Sequence, residues 1–345
     1  MGLLLGIETS CDETAAALVA ANGDVVGQTI RSQVDLHARY GGVVPEIAGR
    51  SHLEAMQAVL DDCFEQAGAS PEDVEAVAVT HAPGLVGSLL VGLSAAKAFA
   101  FARGVPLVAV DHVDAHVHSC YQQVDQPVYP SACLVVSGGH TTLYEVQGPL
   151  DFRVAGETLD DAAGEAYDKV AAILGLPYPG GPILDRLARE GSREAFSFPR
   201  SYLGRDSLDF SFSGLKTAVL YHCRGRKGRE PRELSDVEVR DIAASFQEAV
   251  VDVLLRKLTR LATRMHAGSV AIGGGVAANS RLRERAQGIA EGSERGPTVP
   301  VYLAPRELTG DNAVMVAGLG RLLLEAGITA DLSLDACPSG ASTLP

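Results

Sequence analysis

Short apolar runs that end at polar or glycine-rich turns mark out the secondary structure of this chain. The first third of the sequence predicts three strands, a helix, a strand, an apolar helix and a further strand. In chain order they are Leu3 to Glu8, Ala15 to Val19, Val25 to Ser32, Pro45 to about Gln66, Val74 to Thr80, Gly84 to Ala102 and Pro106 to Val110. The order is therefore β-β-β-α-β-α-β.

The same order of elements returns in the rest of the chain. Strands are predicted at Ala132 to Ser137, Thr142 to Val146, Phe152 to Glu157, Ser269 to Ile272 and Val299 to Leu303, with helices starting at Asn279 and Asp311. A mostly helical segment, about 160–263, is inserted after the third of these strands. Such a repeat predicts a duplicated α/β chain with a central cleft, where a nucleotide would bind.

The duplication suggests three segments. Residues 1–115 would form the first domain, and residues 116–310 would form the second domain with its helical insertion. Residues 311–345 would supply a C-terminal helix that packs back on the first domain, followed by a tail.

Composition and charge narrow the class of protein. The 345 residues suffice for two domains, and the net charge of −14 means that a nucleic acid would have to meet a local basic patch. Six scattered cysteines without a Cys-x-x-Cys pattern indicate a reduced, cytoplasmic protein. The apolar stretch Gly84 to Ala102 contains Lys97 and several small residues, which favours a helix buried against a sheet and no membrane partner.

Two histidines follow the predicted strand that ends at Val110. His112 and His116 are four residues apart, so a helix beginning here would place both imidazoles on one face, where they can share a metal ion. The alternative is a polar helix face without an ion. A metal site needs a third ligand, and Asp311 is the candidate.

Turns that follow predicted strands are candidate phosphate-binding segments. The residues Val135, Val136, Ser137, Gly138 and Gly139 end one strand, and Gly273-Gly274-Gly275, followed by Asn279, ends another. Glycine lets a backbone approach a phosphate or ribose closely and offers its N–H groups as donors. The polar turn from Ile7 to Thr14 is a third such segment or an ordinary hairpin turn.

Three further residues are expected to line the same cleft. Asp168 and Asp185 carry carboxylates that suit the hydroxyl pair of a ribose, and Gly181 lies in a Gly-Gly-Pro turn. The alternatives are carboxylates on exposed helix faces and a glycine that only shapes a turn.

The residues alone do not decide the role of two further segments. The basic stretch Arg224 to Arg232 is a solvated loop or a nucleic-acid contact. The stretch Asp209 to Thr217, rich in hydroxyl and aromatic side chains, is a core corner or part of a substrate surface.

Taken in order, these motifs resemble the bacterial TsaD family of tRNA adenosine threonylcarbamoyltransferases, which have a duplicated actin-like (ASKHA, ribonuclease H-like) ATPase fold. The resemblance runs from about Leu3 to Asp331. Besides the segments already described, it includes Tyr40 to Glu46, Pro83 to Gly87, Asp160 to Glu165 and Tyr178 to Pro182. Ala82 and Gly310 depart from the residues usual at their positions.

The resemblance implies roles for the candidate residues. His112, His116 and Asp311 would bind one divalent metal ion, iron or zinc. The contacts to an adenylate-bearing substrate, threonylcarbamoyl-AMP, would come from Val135, Val136, Ser137, Gly138, Gly139, Asp168, Gly181, Asp185 and Asn279. Glu13 or Asp12 is the candidate proton acceptor.

The resemblance also implies a reaction and its partners. A separate upstream synthase would make the threonylcarbamoyl-AMP. The chain would transfer the threonylcarbamoyl group to N6 of the adenosine beside the anticodon, in tRNAs that read codons beginning with A. TsaB-like and TsaE-like proteins would assist it.

Three other functions compete with this one. A sugar kinase or ATPase of the same fold would need acidic residues at its phosphate loops and no histidine pair. A zinc peptidase would need a glutamate after the first histidine, where this chain has Val113. A non-catalytic scaffold, like the TsaB paralogue, would have no use for an intact His112, His116 and Asp311.

Overall fold

The computed structural model describes residues 2–204, 206–225 and 233–339, and these form two compact units. The first unit runs to Gln123 and also includes residues 149–151 and the chain from Gly310 onward. The second unit comprises Val124–Gly148 and Phe152–Thr309. The boundary suggested after Ala115 falls inside a helix, and the contacts change from one unit to the other after Gln123 instead.

The first unit follows the predicted order of elements closely. Its strands and helices are β1 (Leu3–Glu8), β2 (Glu13–Ala20), β3 (Val25–Ser32), α1 (Val34–Ala38), α2 (Pro45–Ala67), β4 (Val74–Ala82), α3 (Val86–Arg103), β5 (Leu107–Asp111) and α4 (His112–Ser119). The helix α1 is the one element here that the apolar pattern missed, because five residues are too few to show a period.

The five strands of the first unit form one mixed sheet in the order β3-β2-β1-β4-β5. β2 pairs antiparallel with β1, with Leu18 opposite Leu5, while β4 pairs parallel with β1, with Val77 opposite Leu5. β5 continues the parallel half beside β4. The carboxyl ends of β1, β4 and β5 therefore lie at one edge, and the residues that follow these strands meet there.

The second unit repeats this arrangement with inserted helices. Its elements are β6 (Ser131–Val136), β7 (Thr141–Gly148), β8 (Asp151–Glu157), α5 (Ala163–Ile173), α6 (Gly180–Ala188), α7 (Ser213–Arg224), α8 (Asp236–Arg264), β9 (Ser269–Gly273), α9 (Ser280–Ala290) and β10 (Val301–Leu303). The sheet order β10-β9-β6-β7-β8 matches that of the first unit strand for strand. β6 and β9 are parallel neighbours, with Val135 opposite Gly273, so both glycine-rich turns lie at the same edge.

The long helix α8 is the centre of the second core. Ser235 caps its first turn, and the Glu238 side chain reaches back to the Ser235 backbone N–H at 3.1 Å. Its apolar stripe, Ile242, Phe246, Val250, Val253 and Leu254, is fully buried with residues of β6, α5 and α7. The inserted helices are therefore part of this core.

The last helix, α10 (Ala313–Glu325), belongs to the first unit, where it packs on β1, β2 and β4. The contact is close because Gly6 has no side chain. A Cβ atom at Gly6 would lie 2.4 Å from the carbonyl oxygen of Ala313 and 3.0 Å from the Cβ of Ala317. The distance between β1 and α10 is thus set by a single glycine.

Among the described residues one helix, α3, is long and apolar enough to cross a membrane, with a mean hydropathy of 1.3. It packs on β4 and α2, as expected of a helix that covers a sheet. The residues that it buries include Leu89, Gly92, Leu93 and Ala96.

We predict that Gly6→Ala destabilises the protein by about 1–3 kcal/mol, because the new methyl group must displace the α10 backbone. Urea unfolding followed by circular dichroism measures the change. Gly148→Ala is the matched control, since a Cβ there meets no neighbour within 4 Å. Equal stability of the two variants would contradict a close contact between β1 and α10.

Candidate functional site

The first turn of α4 fixes the two histidines. The Asp111 side chain accepts hydrogen bonds from the N–H groups of Val113 (2.8 Å) and Asp114 (3.1 Å), so the helix begins at His112. The prediction of a helix here is confirmed. His112 and His116 lie one turn apart on the same face, with ring centroids 4.7 Å apart and ring planes at 82°.

Asp311 joins the two histidines from the other end of the first unit. Its Oδ1 lies 3.5 Å from Nε2 of His112 and 3.2 Å from Nε2 of His116. The next residue, Asn312, caps α10 by accepting from the Met315 N–H at 2.9 Å, which holds Asp311 just before the helix. One ligand atom from each of the three side chains lies within 4.8 Å of the others. Two imidazole nitrogens and a carboxylate oxygen form a donor set that suits iron or zinc.

Glu8, at the end of β1, orients His112 from behind. Its carboxylate is fully buried and lies 3.0 Å from Nδ1 of His112. Because a carboxylate only accepts, Nδ1 carries a proton, and Nε2 faces Asp311 and the site. Thr80 donates to the same carboxylate at 2.6 Å and the Ser10 N–H at 2.5 Å, so both Glu8 oxygens are bound.

The electrostatics of this cluster favour a cation. Burial lowers the pKa of His116 and keeps that imidazole neutral, the form that binds metals. Burial acts the same way on His112, but the charges of Asp311 and Glu8 outweigh it and raise the His112 pKa well above its usual value. Against the effect of burial, the charge of His112 holds the pKa of Asp311 well below its usual range. The positive charge of the His112 imidazole thus interacts with both the Glu8 and the Asp311 carboxylates.

The turn after β1 carries the other two acidic candidates. Asp12, Glu13 and Asp311 place carboxylate oxygens within 4.8 Å of one another. Burial, followed by the charges of Asp311 and Asp12, raises the pKa of Glu13 to about 9. His52 on α2 holds this turn by bonding both the Thr14 hydroxyl (2.7 Å) and the Cys11 carbonyl (2.9 Å). Ile7 to Thr14 is therefore the turn of the β1-β2 hairpin, and α2 holds it in place.

The second unit brings its glycine-rich turns together. Ser137 follows β6, and its carbonyl accepts from the Gly164 N–H at the start of α5, 3.1 Å away. Gly274, with φ +84°, passes so close to β6 that a Cβ there would lie 2.5 Å from the Val136 carbonyl oxygen. Gly138, Gly139 and Gly181, in contrast, have no atoms within 4 Å of an added Cβ. Their outer faces are open to an approaching ligand.

The remaining predicted residues of this unit hold the starts of its helices by hydrogen bonds. Asp168 accepts from the Gly180 N–H at the start of α6, 2.7 Å away. Asp185 accepts from the backbone and hydroxyl of Ser280 at 3.2 and 2.7 Å, and Asn279 caps α9 through Arg281 and Leu282. Asp185 is buried, so it is not a carboxylate on an exposed helix face.

The Asp209 to Thr217 segment is a core corner. Phe210 and Phe212 are fully buried and stack 6.2 Å apart. Asp160 bonds the hydroxyls of Ser211 (2.5 Å) and Ser213 (2.7 Å) and so holds the start of α7. Of the basic stretch, Arg226, Lys227, Arg229 and Arg232 lie outside the described residues.

Comparison with known proteins identifies the family. The sequence profile of TsaD, described as tRNA N6-adenosine threonylcarbamoyltransferase, matches residues 24–318. A protein of that name from Syntrophotalea carbinolica is 48% identical over 334 residues, which cover 97% of this chain and 95% of the relative. Another from Geobacillus kaustophilus is 49% identical over 336 residues, with coverage of 97% and 96%. The chain belongs to the TsaD family.

Solved structures support the fold assignment. Component A of the Acidaminococcus fermentans (R)-2-hydroxyglutaryl-CoA dehydratase superposes with a TM-score of 0.52 at 16% identity, covering 94% of this chain and 97% of the other. A ROK hexokinase from Thermus thermophilus gives 0.51 at 15% identity, with coverage of 94% and 99%. At these identities the likeness shows the fold alone, and the expected actin-like ATPase fold is confirmed.

Membership of the TsaD family decides between the competing functions. The chain is a tRNA-modifying transferase, and the sugar kinase, zinc peptidase and scaffold alternatives are set aside. The TsaD structure also contains the candidate metal-binding group, His112, His116 and Asp311.

Sequence reasoning missed Glu8, Ser10 and Thr80 as residues that support this metal group in TsaD. One signal was present: Glu8 is the sole charged residue in an otherwise apolar strand, and a buried charge needs partners. The identity of those partners depends on β4 lying beside β1, which no local pattern reveals.

We predict that Glu8→Gln weakens metal binding by this TsaD protein about 10–100-fold, as expected when the group that orients a ligating histidine is altered. The carboxamide keeps the size of the side chain and removes its charge. Titration of the metal-free protein with Zn²⁺ or Fe²⁺ measures the affinity.

Glu72→Gln is the matched control, because Glu72 lies on the surface of the same unit and pairs only with Arg103 at 3.8 Å. Unchanged metal affinity in Glu8→Gln would remove Glu8 from the site.

Proposed function

We propose that this TsaD protein transfers the threonylcarbamoyl group of threonylcarbamoyl-AMP to N6 of the adenosine beside the anticodon of tRNAs that read codons beginning with A, with release of AMP. The observation that carries the proposal is the convergence of His112, His116 and Asp311, whose ligand atoms lie within 4.8 Å of one another. Family membership supplies the reaction type, and this side-chain group suits the activation of a carbamoyl carbonyl.

In this proposal His112, His116 and Asp311 hold one divalent cation, iron or zinc. When bound, such an ion supplies Lewis acidity that polarises or orients a substrate oxygen. Glu8 keeps the proton of His112 on Nδ1, so that Nε2 stays available as a ligand. The excess of negative charge from Glu8 and Asp311 compensates part of the charge of the cation.

The second unit would hold the adenylate. The backbone N–H groups of Ser137, Gly138 and Gly139 would bind the phosphate, which leaves with the AMP. Asp168, Gly181, Asp185 and Asn279 would contact the nucleoside. Asp185 has spare acceptor capacity for this task, because its Oδ2 is bound by Arg189 alone at 2.8 Å, and a carboxylate oxygen can accept two hydrogen bonds.

The attacking amine must lose a proton, and Asp12 or Glu13 would accept it. A pKa of about 9 leaves Glu13 protonated near neutral pH in the metal-free site. A divalent cation close by would lower this pKa and free the carboxylate to act as a base.

The tRNA needs a basic surface on this acidic protein. The stretch Arg224 to Arg232 has five basic residues within nine positions and is our candidate for a phosphate contact. Because its substrate is tRNA, we place the protein in the cytoplasm.

TsaB-like and TsaE-like partners are part of the proposal, and exposed apolar side chains on α2 and α3 support a partner-binding surface. These two helices pack against each other, with Gly49 on α2 facing Gly87 on α3. Leu53, one turn after Gly49, is 70% exposed, and Leu90 beside Gly87 is 43% exposed. Apolar side chains grouped on a surface mark sites of protein association.

We predict that replacing both His112 and His116 by alanine removes bound metal and lowers threonylcarbamoyl transfer by about a hundredfold or more, because metal polarisation is worth several kcal/mol. The assay supplies threonylcarbamoyl-AMP, unmodified tRNA and the partner proteins, followed by nucleoside analysis. Metal content is measured on the same samples.

His266→Ala is the control for the loss of a histidine, because His266 is exposed and belongs to the second unit. Circular dichroism should show that the double variant stays folded. Full transfer by a metal-free double variant would rule out the metal role.

We predict that Leu53→Glu combined with Leu90→Glu weakens binding of the TsaB-like protein about tenfold or more, because charges would replace apolar contacts at the centre of the surface. Calorimetric titration measures the affinity. Phe101→Glu is the matched control, since Phe101 is 75% exposed at the other end of α3. A drop of the same size in the control would place the partner elsewhere on the helix.

A further inference from the structure

Gln247 joins the two residues of the second unit that would contact the nucleoside. It lies on α8, and its side chain is buried although it is polar. Its Nε2 lies 3.2 Å from Oδ1 of Asp185 on α6. Its Oε1 lies 2.8 Å from Nδ2 of Asn279, which precedes α9. One amide therefore connects three helices.

The direction of each hydrogen bond in this chain is determined. The N–H groups of Arg281 and Leu282 point at Asn279, so its side-chain oxygen must face them, at 3.1 and 3.0 Å. The Asn279 amide nitrogen then donates to Gln247, and the Gln247 nitrogen donates to Asp185, whose carboxylate only accepts. Rotating the Gln247 amide by half a turn would break two of these bonds and rotating the Asn279 amide would break three, so the orientation is unique.

The consequence for Asp185 is an unequal use of its two oxygens. Oδ1 accepts from Gln247 and from both the backbone and the hydroxyl of Ser280. Oδ2 accepts from Arg189 alone. The carboxylate is thus held by one oxygen, and the other keeps acceptor capacity for a hydroxyl.

We propose that Gln247 is a positioning residue for the nucleoside end of the adenylate: it fixes Asp185 in the orientation in which its Oδ2 can accept from the ligand, and it holds Asn279 at the start of α9. The inference rests on the adenylate site of the proposed function. The role differs from that of a residue which only joins α6, α8 and α9, because it depends on the hydrogen atoms that the side chain donates and not merely on its volume.

Gln247→Glu separates these two roles, because the new side chain has the same shape. An ionised glutamate at this position still accepts from Asn279 but has no hydrogen for Asp185 and repels it. When protonated, its O–H donates to Asp185 and restores the original pattern. A carboxyl group buried beside a second carboxylate titrates above its usual pKa, so both forms are reached between about pH 6 and about pH 8.5.

Several other ionisable groups lie around this position, and two of them, Arg193 and Glu284, pair at 3.7 Å and line the same pocket as Gln247. On α6 the others are Asp185 and Arg189, which pair with each other, and on α5 there is Tyr167, whose hydroxyl lies 3.4 Å from Asn279 Nδ2. Glu248 on α8 is bound by Arg281 on α9 at 2.7 Å. Asp185 is the one carboxylate that directly contacts the Gln247 side chain, so the pH dependence of the variant reports on that contact.

The experiment measures the Kd of AMP for the full-length protein by calorimetry at the two pH values, always relative to wild type at the same pH. We expect Gln247→Glu to bind AMP about tenfold more weakly than wild type at about pH 8.5. At about pH 6 its Kd should return to within about threefold of the wild-type value. Gln247→Leu, which can neither donate nor accept, should bind about tenfold more weakly at both. Thr259→Val is the control, because Thr259 is buried on the same helix and bonds only to the carbonyls of Leu255 and Arg256.

Three outcomes would overturn the inference. One is wild-type affinity in both Gln247 variants. Another is weaker binding by Gln247→Glu that does not recover at low pH and follows a loss of thermal stability, which would indicate a packing role. If the wild-type protein itself fails to bind AMP, the adenylate site of the proposed function is refuted, and the role of Gln247 with it.

Discussion

A carboxylate that loses all contact with water must recover its hydrogen bonds from the protein, and Glu8 meets this requirement at the end of β1. Burial of an unpaired carboxylate costs several kcal/mol, so each of its partners is fixed in turn. They are the Ser10 N–H in the following turn, the Thr80 hydroxyl on β4 and the His112 imidazole at the start of α4. The candidate metal group depends on Glu8, because its carboxylate keeps a proton on Nδ1 of His112.

The two units share one strand order but have different chemistry at equivalent strand ends. In the first unit, charged and hydrogen-bonding side chains lie at these positions: Glu8 ends β1, Thr80 is near the end of β4 and Asp111 ends β5. In the second unit, β6 and β9 end in turns whose glycines leave backbone groups accessible. The same framework thus offers side-chain ligands in one copy and main-chain donors in the other. This division fits the proposed roles of the first unit with a cation and the second with an adenylate.

Local patterns predicted the strand and helix order, the histidine pair and the glycine turns, because apolar periodicity and i,i+4 spacing are properties of short segments. The family resemblance supplied the reaction. Neither gave the contacts of Glu8 or Gln247, since both depend on which elements become neighbours. The suggested boundary after Ala115 and the observed change of unit after Gln123 differ for a related reason, because α4 packs with α10 from the far end of the chain. Local sequence patterns therefore do not predict which distant strands and helices become neighbours.

Asp311 is separated from His116 by 195 positions, and the whole second unit is made between them. A ribosome that has synthesised β1 to α4 has made both histidines but not the carboxylate that joins them. The growing chain therefore cannot assemble the complete ligand set during most of its synthesis. If the proposed metal role holds, metal capture is a late event of biogenesis, and any chain that stops before Asp311 lacks the third ligand.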